Sequence, residues 1–300
     1  MTDRLIDLAD GPARLHVKLE RLIIDRESIE PVSIPLTDIA ALVVSHPAVQ
    51  YSQAVIAGLA AAGGIFVACD GRHMPIGMLL PLSAHHLQAE RFAKQTEASV
   101  PMRKRLWKQL VEAKVSAQGR LLKQLYEDDH GLIAMAAHVQ SGDTGNTEAL
   151  AARKYWPVLF RDPAFRRNPE AEDVNALLNY GYAVLRAIVA RAICAAGLHP
   201  SFGIHHHNRY DAFRLADDLM EPFRPLVDGA VARRVLLEGK PATLDKETKA
   251  AIIGALTGRF ILDGEERTLF DVFGRVAVSL AEVFMGKRQQ FVLPDFTTSD

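Results

Sequence analysis

The hydrophobic periodicity of this chain changes near residue 80, and this change constrains the fold more than any other feature. Before it, "RLHVKLERLII" alternates apolar and charged residues, while "PVSIPL", "IAALVV" and "GIFVACD" are apolar runs of strand length. One predicted helix, at about Ser52 to Ala62, interrupts this region. After "LLPLSAHH" the apolar residues recur at the three-four spacing of buried helices, as in "NALLNYGYAVLRAIVARAICAAG" and "LFDVFGRVAVSLAEVFMG".

This pattern predicts an α+β protein with two domains. A small N-terminal β-rich domain would comprise residues 1–82, and a larger all-helical domain would comprise residues 83–300. A chain of 300 residues is long enough for each part to bury its own core. The final segment, "KRQQFVLPDFTTSD", is predicted to fray, although Phe291, Val292 and Phe296 could dock on a partner.

Composition excludes several classes of protein. With 49% hydrophobic and 24% charged residues, the chain is typical of a folded protein and not of a disordered one. A formal net charge of -1 gives no global attraction to nucleic acid, so DNA binding would depend on local basic patches. The N-terminus lacks a signal-peptide pattern, and the longest uncharged stretch, Ala54 to Cys69, is shorter than the roughly 20 residues of a spanning helix. We therefore expect a cytoplasmic protein with no membrane partner.

The two cysteines, Cys69 and Cys194, lie in apolar segments and are predicted to be buried free thiols in a reducing compartment. Cys69 and His73 are four residues apart, a spacing that suits a metal pair on a helix. Their segment is predicted to be strand and turn, however, and no second pair accompanies them, so the sequence does not favour a zinc site there.

Acidic residues and a histidine run in the C-terminal half are the first candidates for chemistry. In "LADDLMEPFRP", Asp218 and Glu221 are three apart and would share one helix face, with Pro222 and Pro225 ending that helix. Alone, this pair is also explained as a solvated helix end. Both acids follow the run "HHH", residues 205–207, closely enough for a loop to bring an imidazole beside two carboxylates.

Glu148 is the third candidate, in the first turn of the predicted helix "EALAARKYW". A carboxylate there interacts well with the helix dipole, and capping alone would explain it. Combined with a histidine of the run and Glu221, it completes a set of two carboxylates and one imidazole suited to Mg²⁺ or Mn²⁺. Such an ion serves phosphate chemistry, and no motif for a protein nucleophile, nucleotide loop or dinucleotide fold is present.

A local excess of basic residues supplies a candidate DNA surface. Residues 101–124 contain seven basic side chains and one acidic one, Glu112, so a helix there could follow a DNA backbone or present an ordinary solvated face. Trp107 within it is predicted to be core. The candidate DNA contacts, with two basic residues near Glu148 included, are Arg103, Lys104, Arg105, Lys108, Arg120, Lys123, Arg153 and Lys154; Lys114 also belongs to the basic segment.

Three segments of the helical half resemble a known family. "EALAARKYW", "NALLNYGYAVL" and "GLHPSFGIHHHNRYDAFRLADDLMEPFRPLVD" are similar, in order and spacing, to the signature segments of the CRISPR-associated adaptation integrases, the first-numbered Cas proteins. The upstream "CDGRHMPIGMLLPL" resembles the variant of type II systems, which have a single large effector nuclease. The similarity covers nearly the whole chain.

The resemblance implies an enzyme of antiviral defence that inserts short foreign DNA fragments into a CRISPR array. A 3′ hydroxyl of the fragment would attack a target phosphodiester, with Mg²⁺ or Mn²⁺ as cofactor. The N-terminal domain would form a homodimer, and a dimer of the second-numbered Cas protein would bridge two such dimers on double-stranded DNA. Type II relatives also use a small accessory DNA-binding ring protein and the effector nuclease.

The resemblance also implies roles for individual residues. By motif position, Glu148, His206 and Glu221 match the family's metal-binding catalytic residues, and Asp218 matches a supporting acidic position. His206 is the fourth residue of "GIHH", and a slip of one position within the run would nominate His205 instead.

Two rival functions remain compatible with the sequence. The same ligands would serve an endonuclease that uses water to hydrolyse branched or single-stranded DNA. A scaffold that binds DNA without catalysis is the other rival, and alanine substitution of the three ligands would have no effect on it.

Overall fold

The computed structural model describes residues 4–71, 75–81, 85–237, 239, 243–262, 264–293 and 297–298, and it confirms the α+β class, with a strand-rich N-terminal region followed by a helical one. The strands are β1 (Arg4–Leu8), β2 (Ala13–Lys18), β3 (Arg21–Arg26), β4 (Ile29–Pro35), β5 (Ile39–Val44), β6 (Val49–Tyr51), β7 (Ile65–Cys69), β8 (Pro75–Leu79), β9 (Arg259–Leu262), β10 (Glu265–Thr268) and β11 (Thr297–Thr298). The α-helices are α1 (Gln53–Ala61), α2 (Gln88–Thr96), α3 (Val100–Tyr126), α4 (Leu132–Ala136), α5 (Thr147–Leu159), α6 (Val174–Ala195), α7 (Arg214–Met220), α8 (Arg224–Ala232), α9 (Lys246–Thr257) and α10 (Leu269–Phe284).

The alternating segment "RLHVKLERLII" forms an antiparallel hairpin of β2 and β3. Leu19 and Glu20 connect the strands with φ values of 50° and 59°, as a two-residue turn of type I′ requires. The hairpin is the centre of sheet B, whose strand order is β4-β3-β2-β6. Its apolar residues, such as Leu15 and Leu22, are buried in the N-terminal core, while the charged residues between them face outward.

Sheet A explains why two predicted strands are continuously apolar. Its order is β1-β5-β7-β8, and β1, β5 and β7 run parallel to one another. On one face, Leu42 belongs to the N-terminal core, while on the other, Val43 packs in a cluster with Ala187 of α6. A parallel sheet covered on both faces needs apolar residues at consecutive positions, which produces runs such as "IAALVV".

The helical region packs around α3, α6 and α10, as the three-four periodicity predicts. Helix α6 is apolar enough to cross a membrane by length and composition, with a mean hydropathy of 1.3 over 18 residues. Because 78% of that window is buried inside the protein, α6 is the central helix of this core. Gly197, with a φ of +64°, follows α6 in the left-handed conformation that is common just after a helix end. Trp107 of α3 is 2% exposed, which confirms that it is a core residue.

Two details of the predicted helical half are wrong. It is not all helical, because β9, β10 and β11 form a small antiparallel sheet of order β10-β9-β11; those strands are too short to show a period in sequence. The segment after α10 does not fray throughout. Phe291 is 3% exposed in the helical core and the Val292 N–H donates to Ser279 Oγ, whereas Phe296 lies outside the described residues.

The predicted domain boundary, between residues 82 and 83, falls outside the described residues and stays a prediction, and His73 of the possible zinc pair lies outside them too. Cys69 and Cys194 are free thiols, as predicted, but each is only partly buried. Burial raises the pKa of Cys194 to about 11 and also raises that of Cys69, so neither thiol is activated toward ionisation.

Candidate metal centre

Glu148 and Glu221 come from separate parts of the chain and meet at one cation, the ammonium group of Lys114. The Lys114 Nζ lies 2.6 Å from Glu148 Oε1 and 2.6 Å from Glu221 Oε2. The two carboxylate oxygens can therefore be no farther apart than these two contacts placed end to end. Lys114 is on α3, Glu148 is in the first turn of α5, and Glu221 follows α7. The structure thus brings together the two acids that the sequence analysis paired.

The start of α5 leaves the Glu148 side chain free for this contact. The Asp143 carboxylate caps the helix by accepting hydrogen bonds from the backbone N–H groups of Thr147 and Glu148, at 2.8 and 3.0 Å. Capping is therefore the function of Asp143, and the alternative explanation of Glu148 as a cap does not hold. Its side chain, 28% exposed, points instead to Lys114.

Glu221 is almost fully enclosed, with a side chain that is 5% exposed. Burial alone would raise its pKa, but the guanidinium of Arg224, whose Nε lies 3.1 Å from Oε1, and the ammonium of Lys114 outweigh burial and hold the pKa at about 2. The prediction that Pro222 and Pro225 end the helix is only half right. Helix α7 does stop at Met220, but a 3₁₀ turn, Glu221–Phe223, leads directly into α8, and both prolines sit in first turns, where no N–H is needed.

Asp218 organises the histidine run. Its carboxylate is completely buried and accepts the backbone N–H groups of Ile204, His205 and His206 at 2.5, 3.1 and 3.2 Å. It also lies 2.6 Å from the His206 ring nitrogen Nδ1. Gly203 allows the loop to pass this closely, because a Cβ there would lie 2.9 Å from the His206 carbonyl oxygen and 3.0 Å from Asp218 Oδ2.

His205 and His206 are held in different ways. The His205 ring stacks on Trp107 at 4.1 Å, and this desolvation lowers its pKa, whereas the hydrogen bond to Asp218 raises the pKa of His206. Because Asp218 accepts the hydrogen of Nδ1, the neutral His206 ring carries its lone pair on Nε2. This arrangement is typical of a metal-binding imidazole and favours His206 over His205.

The donor set fits a divalent cation, although the side chains are not closed around one. Among the residues that the structure describes, no three His, Cys, Asp or Glu side chains stand close enough to hold a metal ion. Glu221 Oε2 is nevertheless a buried carboxylate oxygen with no aligned hydrogen-bond donor in the described part of the chain, even though Lys114 Nζ is near it. Two carboxylates, one of them with a buried oxygen whose near neighbour is the Lys114 ammonium, and an oriented imidazole match the preferences of Mg²⁺ or Mn²⁺.

A second buried polar group lies behind Glu221. The Asp228 carboxylate, 1% exposed, accepts hydrogen bonds from the hydroxyl groups of Tyr155, at 2.8 Å, and Tyr182. The Arg224 guanidinium lies over the Tyr182 ring, 4.4 Å from its centroid. Burial raises the pKa of Asp228 to about 6 despite these hydrogen bonds. This network fixes Arg224 beside Glu221.

Sequence reasoning missed the parts played by Lys114 and Arg224. Lys114 was grouped with the basic segment, yet it is three residues after Val111 and four before Gln118, both of which α3 buries. A lysine within the buried stripe of a helix needs an internal anion, and this spacing was the signal that could have identified it.

The basic residues of α3 do not form one stripe. At about 3.6 residues per turn, the six candidates on this helix are spread over more than half of its circumference. Arg105 donates to the Gln289 carbonyl, and Lys108 pairs with Glu112 at 3.4 Å. Arg153 and Lys154 of α5 are exposed and lie about one and a half helical turns beyond Glu148. Their role in DNA binding stays a prediction.

Comparison with known proteins identifies the family of the chain. The family model described as CRISPR associated protein Cas1 matches residues 8–243. The chain belongs to the Cas1 family. A CRISPR-associated endonuclease Cas1 of Neisseria meningitidis is 36% identical over 230 residues, covering 76% of this chain and 74% of the relative. A Cas1 endonuclease of Pyrobaculum aerophilum is 28% identical over 92% of this chain and 98% of its own length. These findings confirm the family inferred from the sequence.

Solved structures show the same fold. A casposase bound to integration product has a TM-score of 0.79 and 21% identity, covering 95% of this chain and 92% of that one. A Cas1 protein from Thermotoga maritima has a TM-score of 0.75 and 16% identity over 97% and 99% of the two chains. These comparisons do not distinguish the type II variant from other members of the family, so the type II assignment stays a prediction.

Proposed function

We propose that this Cas1 family protein is a divalent-metal-dependent DNA integrase that inserts short duplex fragments into a CRISPR array. The observation that carries the proposal is the meeting of Glu148 and Glu221 on a single cation, beside a loop that orients His206. The casposase with the same fold is described with its integration product, which supports joining as the reaction class.

The residues of the site have separate tasks in this reaction. A bound Mg²⁺ or Mn²⁺ supplies Lewis-acid stabilisation of the charge that develops at the attacked phosphate. Glu148 and Glu221 provide anionic oxygens for that ion, and His206 provides Nε2 because Asp218 fixes the hydrogen on Nδ1. Arg224 keeps Glu221 ionised and in position. The attacking 3′ hydroxyl loses its proton and forms a bond to the target phosphorus, while the bond from that phosphorus to the target strand's 3′ oxygen breaks and leaves a new 3′ hydroxyl. The protein contributes positioning and charge to this exchange and forms no covalent intermediate.

The proposed partners follow from the same reaction. Insertion requires two attacks, one on each strand, and hence two sites in one assembly, which supports a homodimer. A Cas6-RT-Cas1–Cas2 complex has a TM-score of 0.74 over 96% of this chain, although the chain covers only 35% of that one. We infer that the second Cas protein bridges dimers here too, with the type II accessory protein and effector nuclease as further partners. An enzyme that acts on the array would work in the cytoplasm.

A metal-dependent endonuclease is the second candidate. It is favoured by the name endonuclease, which the relatives from Neisseria and Pyrobaculum carry. Water would replace the 3′ hydroxyl as the nucleophile, and the same residues would serve.

The test compares duplex fragments that end in a 3′ hydroxyl with fragments that end in a 3′ deoxy group. With Mn²⁺, the second Cas protein and a supercoiled array plasmid, joined product should form only from the hydroxyl fragments. Glu148→Gln, His206→Ala and Glu221→Gln should each reduce joining by more than about 100-fold, while Glu97→Gln, a surface carboxylate paired with Lys94, should not. Cleavage that is the same with both fragments, without joined product, would refute integration and favour the endonuclease.

A further inference from the structure

Lys114 lies between Glu148 and Glu221, and the proposed chemistry leaves it without a task. Its side chain is 13% exposed, and its Nζ donates a hydrogen bond to Glu148 Oε1. On the other side it approaches Glu221 Oε2 at the same distance, but without hydrogen-bond alignment. The ammonium therefore takes up space between the two acids that a bridging cation would need.

The charges of the site explain why a cation is required there. Two carboxylates, one of them enclosed, repel each other strongly in a medium that screens charge less than water does. Lys114 and Arg224 together balance the charges of Glu148 and Glu221. If a divalent ion entered and Lys114 stayed, three cations would share the two carboxylates of Glu148 and Glu221, and their mutual repulsion is unfavourable at contact distance.

The elements that carry these groups are not equally free to adjust. Glu221 is fixed by Arg224, and Arg224 by Tyr182, whereas Lys114 is held by its two ion pairs at the end of a long, flexible side chain. Displacement of Lys114 would thus open the space between the carboxylates without moving Glu221 or Arg224. A four-carbon side chain permits it without moving α3.

We propose that Lys114 is an internal counter-cation that holds Glu148 and Glu221 together before metal binding, and that a divalent ion binds by displacing its Nζ. This inference rests on the proposed function, because it needs a divalent ion at that site. It makes metal affinity a competition between the ion and a tethered ammonium group. Release of a charge-assisted hydrogen bond corresponds to about tenfold to hundredfold in affinity.

Binding of Mn²⁺ to the full-length protein, measured by calorimetry without DNA, tests the competition. Lys114→Met should tighten binding at least about tenfold, whereas Lys114→Arg, which keeps the charge, should not tighten it. Lys94→Met is the matched control, since it removes a lysine that pairs at 2.9 Å with an exposed carboxylate, Glu97, away from the site. Its Mn²⁺ affinity should equal that of the unmodified protein.

Unfolding temperature gives a second readout that does not depend on activity. In EDTA, Lys114→Met should unfold at a lower temperature than the unmodified protein, because it leaves two carboxylates without their shared cation. Added Mn²⁺ should raise its unfolding temperature by more than it raises that of the unmodified protein. Should the variant fail to fold, a Mn²⁺-soaked crystal of the unmodified protein decides the question through the position of Lys114 Nζ.

The outcomes separate this inference from the proposed function. Equal or weaker Mn²⁺ binding by Lys114→Met, or a crystal in which Nζ still contacts both acids beside a bound ion, would overturn the counter-cation. No saturable Mn²⁺ binding by either protein would instead remove the metal site itself. If the single substitution Glu148→Gln abolishes Mn²⁺ binding while the single substitution Lys114→Met strengthens it, both the metal site and the counter-cation role of Lys114 are supported.

Discussion

Asp218 is the residue whose replacement tests the geometry of the site most directly, and the substitution Asp218→Asn keeps its shape while changing its hydrogen bonding. The aspartate accepts four hydrogen bonds, two at each oxygen: Ile204 and His205 at Oδ2, and the backbone and ring nitrogens of His206 at Oδ1. An asparagine can accept on one side only. On the other side it presents an NH₂ group, which is a donor.

The better orientation of the new amide follows from these partners. If its oxygen replaces Oδ2, the NH₂ group takes the place of Oδ1. The backbone N–H of His206 then loses its acceptor, while the ring nitrogen Nδ1 of His206 can accept a hydrogen bond from the NH₂ group. The ring hydrogen then moves to Nε2, so the lone pair no longer faces a metal ion. The backbone hydrogen bond of His206 is lost, and the hydrogen bond of its ring becomes a neutral one. Together these changes should lower the free energy of unfolding by roughly 2–4 kcal/mol. Disturbing such a partner of a ligand lowers metal affinity or activity by about 10- to 100-fold.

Three measurements check this prediction. Denaturant unfolding gives the stability loss, calorimetry with Mn²⁺ gives the affinity, and ¹⁵N NMR of the histidine ring reports which nitrogen of His206 carries the hydrogen. Asp217→Asn is the matched control, because it removes the neighbouring buried carboxylate, which accepts a hydrogen bond from Arg186 Nε at 2.6 Å and, among the residues that the structure describes, none from the backbone or ring nitrogens of residues 204–206. Wild-type Mn²⁺ affinity and joining rate in Asp218→Asn, with the hydrogen on Nε2, would refute the reasoning.

The remaining predictions concern the loop, the buried acid and the DNA surface. His205→Asn should retain joining within about tenfold while His206→Asn loses it, measured by the fragment-joining assay, because only His206 is oriented by Asp218; the reverse result would move the ligand to His205. In the folded protein the pKa of Asp228 is about 6, above its ordinary value of 3.8, so the folded state keeps this proton to a higher pH than the unfolded state does. The contribution of Asp228 to the free energy of unfolding should therefore fall by roughly 3 kcal/mol as pH rises from 4 to 6, and then level off. In Asp228→Asn, the free energy of unfolding measured with urea should decline less steeply with pH over that range. The same decline as in the unmodified protein would show that Asp228 is not the group responsible. Replacing Arg153 and Lys154 by alanine should reduce the slope of log affinity for duplex DNA against log salt by up to about two units, checked by fluorescence anisotropy; an unchanged slope would exclude both as phosphate contacts.

Much of the fold follows from local sequence, because its periods are set by what each element buries. Sheet A has consecutive apolar residues since both faces are covered, and α6 has its three-four pattern since it is surrounded by other helices. The sheet of β9, β10 and β11 could not be predicted in this way. Its third strand, Thr297–Thr298, is two residues long, and its pairing with β9 is separated by the whole of α10. Pairing over that distance depends on tertiary packing and leaves no periodic signal.

The candidate site shows the same division between what is local and what is not. The sequence predicts Glu148 and Glu221 as ligands because they are carboxylates and because the segments that contain them occur in the order of the family's signature segments. The state of those acids depends on two cations: Lys114, which comes from α3, and Arg224, which lies three residues after Glu221 but is held by Tyr182 of α6. Without these cations, burial would make the carboxyl group of Glu221 a poor anion, and with them its pKa falls to about 2. In the competition proposed above, Lys114 both helps to keep Glu221 ionised and opposes a divalent ion, so the affinity of the site would depend on a residue that the ligand motif does not contain.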